Sequence, residues 1–131
     1  MRFELMGHDP LTCMPLNIVE QLNQTYTILA TLKATECLFE LYPNAEGFHV
    51  ALGTCSGRDI ESVQPDFMAA EVFSATHPNS NQKLKKEIDR MAMDSSKHRY
   101  VFFASPGYFI GRHQELERPD TGVQVYATEL I

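Results

Sequence analysis

Three carboxylates stand close together in the middle of the chain, and the last of them, Glu71, sits inside an otherwise apolar run, Phe67-Met-Ala-Ala-Glu-Val-Phe73. The other two, Asp59 and Glu61, lie a few residues before it. Removing an unpaired charge from water costs several kcal/mol, so a carboxylate in such a run is normally paired, protonated or bound to a metal. Glu71 therefore either faces water or belongs to a site. The same stretch runs on through Asn81 and Gln82 to Lys83, which brings an ammonium close in sequence to the acids.

The elements around these residues read as strands. Residues 58–63 form a short strand on which alternation puts Asp59 and Glu61 on one face and Ile60 on the other. Gln64-Pro65-Asp66 turns the chain into a strand over 67–75, where Glu71, Phe73 and Ala75 share a face opposite Ala70, Val72 and Ser74. An earlier strand carries Phe48, Val50 and Leu52 against His49 and Ala51, and Gly53 to Gly57 suits a tight hairpin or a bulge.

Residues 16–42 contain neither Gly nor Pro and read as one long helix, with Pro15 suited to its first turn. Ile18, Leu22, Leu29, Leu32 and Phe39 make the stripe expected to lie on a sheet, with Glu36 close to it. A second row, Asn17, Glu20, Gln24, Thr27, Thr31 and Thr35, reads as a solvent face from which Glu20 and Gln24 would reach toward a site. A second helix is expected over 82–93, capped by Asn79, Ser80 or Asn81, with Leu84, Ile88 and Met91 inward. Lys83, Lys86, Glu87 and Arg90 fall elsewhere around it, and the cations, with Lys85, read as a solvated patch. Tyr100 to Ala104 is continuously apolar, the pattern of a strand covered on both sides. A short element at 108–110, a polar loop over 113–121 and a last, edge strand over 122–130 complete the chain.

With 131 residues, 44% hydrophobic and 21% charged, the chain is expected to form one domain: a lead (1–15), a core (16–104) and a C-terminal hairpin or strand (105–131). The formal charge of −6 argues against a broad nucleic-acid footprint and leaves only local basic contacts open. Cys13, Cys37 and Cys55 lack the spacing of a disulfide framework or a CxxC motif, and the five histidines lack zinc spacing. No apolar run approaches a membrane span, and a cytoplasmic protein is expected.

The order helix, three strands, helix, strand resembles the PD-(D/E)XK nuclease superfamily, the restriction-endonuclease-like fold. That core carries an Asp early on its second strand and (Asp/Glu)-x-Lys on its third. Asp59 matches the first position and Glu71 the second, twelve residues on, over a resemblance that covers roughly residues 16 to 104. The resemblance implies an α/β (α+β) fold with a mixed sheet flanked by helices on both faces. It also implies a Mg²⁺ or Mn²⁺ ion held by Asp59, Glu71 and the Val72 carbonyl, activating water against a phosphodiester. Phe73 stands where the family places its lysine, so Lys83, beside Asn81 and Gln82, is the expected substitute. Glu20 or Glu36 would supply a further acid, and Gln24 and Glu61 border the same site.

Three readings follow. The first is a divergent metal-dependent nuclease acting on nucleic acid through Asp59, Glu71 and Lys83, as a homodimer because so small and acidic a unit grips DNA poorly alone. The second is a nuclease-like subunit that has lost catalysis and serves in binding or regulation, which Phe73 and the negative charge favour. The third is an unrelated α/β interaction module in which Glu71 points to solvent.

Overall fold

The computed structural model describes residues 7–8, 15–16, 18–51 and 58–128, with side chains from residue 25 onward except Asn81. A two-residue pair, β1 (Gly7–His8) and β2 (Pro15–Leu16), precedes the long helix α1 (Ile18–Leu41). Three strands follow, β3 (Phe48–Val50), β4 (Ile60–Ser62) and β5 (Met68–Ser74). A 3-10 turn over Ser80–Gln82 leads into α2 (Lys83–Ala92), then come β6 (His98–Ala104), β7 (Gly111–Arg112) and β8 (Val123–Ala127).

One six-stranded sheet runs in the order β3-β4-β5-β6-β8-β7. The first three strands are antiparallel, as short turns allow, whereas β5 and β6 are parallel from Met68↔His98 to Ser74↔Ala104, with α2 as the connection. β8 pairs parallel to β6 and antiparallel to β7. The strand expected at the edge is thus interior, and the two-residue β7 is the edge. Val123, Val125 and Ala127 are buried in the α2 layer, and the short β7 returns to pair with the side of β8 that would otherwise be an edge.

The sheet separates two layers of core. On one face Ala30, Ala34 and Leu38 of α1 pack on Ile60, Met68, Ala70, Val72, Tyr100, Phe102 and Ala104. On the other, Leu84, Ile88 and Met91 of α2 pack on Ala69, Phe73, Val101, Phe103, Val123, Val125 and Ala127.

Helix α1 does not use the stripe expected of it. Leu32 and Phe39 are 50% and 47% exposed, while Ala30, Ala34 and Leu38 are fully buried and Thr31 nearly so. Two of the threonines need no outside partner: Thr31 Oγ1 donates to the Thr27 carbonyl at 2.7 Å and Thr35 Oγ1 to the Thr31 carbonyl at 2.8 Å, while the Thr27 hydroxyl meets that of Ser74 at 3.4 Å. A row of small side chains with self-satisfied hydroxyls lets the helix approach the sheet closely. Phe39 instead rests edge-on against Phe48, with ring centroids 4.8 Å apart.

Helix α2 buries Leu84, Ile88 and Met91 as expected, but its start differs. Gln82 takes the N-cap position in a left-handed conformation, φ 57°, without a side-chain cap bond. At its other end, Arg99 Nη1 donates to the Ala92 carbonyl at 2.9 Å and so satisfies part of the helix terminus. The segment after β7 is also less polar than its sequence: His113 is buried against Phe109, centroids 4.0 Å apart, and its ring nitrogens meet Glu115 and the Phe109 carbonyl, each at 2.8 Å. No described helix is long and apolar enough to cross a membrane.

Candidate functional site

The register of β4 on β5 pairs Ile60 with Ala70 and Glu61 with Ala69. Continued by one residue, it sets Asp59 opposite Glu71. Ile60 and Ala70 belong to the α1 layer, so side-chain alternation turns Asp59 and Glu71 together toward α2. Asp59 is fixed there by the backbone of the next strand: its Oδ2 accepts the Val72 N–H at 2.8 Å.

Glu71 is buried, which removes the third sequence reading's solvent-facing glutamate. Its pKa is pushed up to about 9, first by loss of hydration, then by its hydrogen bond to Asp59 and the negative charges of Asp59 and Glu87, with Arg90 acting in the opposite sense. At neutral pH Glu71 therefore carries its proton and Asp59 receives the hydrogen bond.

Three residues of α2 complete the cluster. Glu87 is buried, and Arg90 Nη1 stands 3.6 Å from its Oε2 and 3.7 Å from Glu71 Oε1. Lys83 Nζ lies 3.6 Å from Glu87 Oε1. Helical spacing explains the group, since Lys83 and Arg90 are i−4 and i+3 neighbours of Glu87. The acids form the floor and the cations the mouth: the Glu71 and Glu87 side chains are 3% and 5% exposed, those of Arg90 and Lys83 62% and 47%.

Glu87 and Arg90 were not among the residues that the sequence pointed to. Glu87 is not on the solvated side of α2 where it was expected. A signal was present: Glu87 follows Leu84 by three residues and precedes Met91 by four, which sets it beside the buried stripe.

The other expected residues separate into groups. Phe73 shares the face of Glu71 and is buried against Phe103, ring centroids 6.2 Å apart, so hydrocarbon fills the space beside the acid. The Val72 side chain belongs to the α1 layer, and its main chain holds Asp59. Glu61 does not join the pair; it meets Arg58 Nη1 at 3.0 Å, while Arg58 Nε binds Asp94 Oδ2 at 2.8 Å and ties β4 to the α2–β6 loop. Glu36 lies on the helix across the other face of the sheet, exposed and 4.0 Å from Lys33. Gln82 is exposed at the start of α2. The side chains of Glu20, Gln24 and Asn81, with Cys13 and Cys55, lie outside the described residues. His77 is exposed and meets the Tyr108 hydroxyl at 3.2 Å.

Among the described residues no set of three or more His, Cys, Asp or Glu side chains is placed to hold a metal. Two hard carboxylates are nevertheless a donor set that Mg²⁺ accepts, because it keeps several waters and shares substrate phosphates. Asp59 and Glu71 fit that role. One is preoriented by a backbone amide, and the other is held neutral first by burial and then by negative neighbours, whose charge a divalent ion would offset.

The molecule is thus a mixed α/β domain with a buried acid cluster between the sheet and its second helix. Comparison of the chain with protein-family models, curated proteins and solved structures finds no match.

Proposed function

We propose that the protein is a divergent metal-dependent nuclease of the PD-(D/E)XK type, with the restriction-endonuclease-like core between α1 and β6. The observation that carries this reading is the meeting of Asp59 and Glu71, from adjacent strands, on one buried face. The order α1, antiparallel β3-β4-β5, α2, parallel β6 supports it.

A bound Mg²⁺ or Mn²⁺ supplies a Lewis acid for the scissile phosphate and a more acidic water. Asp59 presents a carboxylate whose direction is fixed by the Val72 amide. Glu71 would hold the ion in its ionised form, so cation affinity is expected to rise with pH up to about 9. Lys83, kept at the mouth by Glu87, and Arg90, beside Glu71 and Glu87, are the positive groups available to the charge that develops on the phosphoryl oxygens as water attacks.

The test is thermal denaturation with Mg²⁺ or Mn²⁺, for the wild type and Glu71→Ala. A melting temperature that rises with metal in the wild type and stays flat in the variant is expected; no rise at millimolar metal overturns the reading. Nicking of plasmid DNA, lost in Lys83→Ala at unchanged stability, is the matching functional outcome.

The second reading, a nuclease-like subunit that binds without cleaving, is favoured by Phe73, whose buried ring can neither orient water nor offset charge. A metal-dependent rise without nicking selects it.

A further inference from the structure

We propose that one flank of α2 is a rail for the phosphates of a nucleic-acid strand, with Lys83, Lys86 and Arg90 as its contacts. This deepens the reading of Asp59 and Glu71 as a phosphodiester site and rests on it.

The two flanks of α2 differ in how their charges are used. Lys83 and Arg90 both reach Glu87, so they share its flank, and Lys86, at i+3 from one and i−4 from the other, lies between them. Lys86 is exposed and has no ion pair among the described residues. On the opposite flank Lys85 is the only cation of the helix, four residues before Asp89, which is itself paired with Arg118. Three of the four cations of α2 therefore lie on the side that carries the cluster.

The contacts on that flank are loose. All three distances to Glu71 and Glu87 are 3.6 to 3.7 Å, longer than charge-assisted hydrogen bonds, and both cations are about half exposed. Lys83 and Arg90 can therefore take a second anion from the solvent side without leaving the acids. The rail spans roughly 10 Å along the helix axis, about the axial rise of three nucleotides of a duplex strand. A strand lying along it passes over Glu71 at the Arg90 end. The overall charge of −6 makes this the kind of local contact that the protein can offer to a polyanion.

The experiment measures the binding of a short fluorescein-labelled oligonucleotide of mixed sequence, single-stranded and duplex, by anisotropy across a salt series in EDTA, so that no cleavage intervenes. Each lost phosphate contact lowers the slope of log affinity against log salt by about 0.7 for a single strand or 0.9 for a duplex. Lys86→Ala is expected to lose one such unit of slope and to weaken binding several-fold, while Lys85→Ala changes neither. Equal effects of the two variants, no effect of Lys86→Ala, or no binding of either oligonucleotide at low salt overturns the rail. Slope loss confined to Lys86→Ala without plasmid nicking in Mg²⁺ or Mn²⁺ leaves the rail standing and removes the nuclease reading. Nicking with indistinguishable lysine variants does the reverse.

Discussion

Each face of the sheet buries its own apolar cluster, and the two treat their polar groups in opposite ways. Under α1, the buried Thr31 donates to its own helix, and the polar row becomes inert packing material. Under α2, Glu71 and Glu87 are buried beside each other and beside Asp59, with two half-exposed cations as their counter-charges. A hydroxyl that satisfies itself asks nothing of a ligand. A carboxylate held neutral by burial and by negative neighbours is a place where added positive charge is favourable. The amount of burial does not mark the site; the means by which buried polarity is satisfied does.

This contrast can be broken or sharpened by substitution. The largest effect is expected on the inert face: Leu38→Ala should cost about 2–5 kcal/mol in urea unfolding, because a fully buried side chain leaves a cavity under α1. A loss below 1 kcal/mol would show that α1 does not lie on the sheet through that row.

Glu71→Gln tests the other face through pH. The folded-state pKa of about 9 lies above the ordinary 4.5, so the folded protein binds more protons between these values. The stability that the protonated form contributes is fully present below the ordinary value and is lost as pH rises through about 9. Wild-type stability should fall from about pH 5 to pH 9, and the variant should lose that slope and be the more stable of the two at pH 8. Parallel profiles would mean that Glu71 ionises freely. The smallest effect is expected for Leu32→Ala, within about 0.5 kcal/mol, since half of that side chain is already in water.

Much of this was legible in the chain. Period-two alternation grouped Asp59 with Glu61 and Glu71 with Phe73, though only the strand register shows that the two faces coincide, and the continuous run at Tyr100 to Ala104 announced a strand covered on both faces. The stripe Leu84, Ile88 and Met91 was readable because large apolar residues recur against charged ones. Helix α1 misled for the converse reason. Several of its large apolar residues, Leu32 and Phe39 among them, fall on the outer side, while the small Ala30 and Ala34 lie inside with Leu38, and hydropathy weights size where packing here selects closeness. Glu87 was missed because a charged residue on an amphipathic helix is assigned to water unless the acid across the gap is known, and that acid lies on another element. The interior position of β8 depends on pairing with β6 across the chain, which no local pattern encodes.

That strand order bears on how the protein is made. β6, whose residues from Tyr100 to Ala104 are all buried in the finished sheet, emerges from the ribosome before the segment that will pair with its free side. Until residues 123–127 follow, the nascent chain presents an oily, unpaired backbone edge, the kind of surface on which stray strands from other molecules add. Conditions that slow translation between Ala104 and Val123 should therefore favour insoluble product, even though the completed fold conceals that edge.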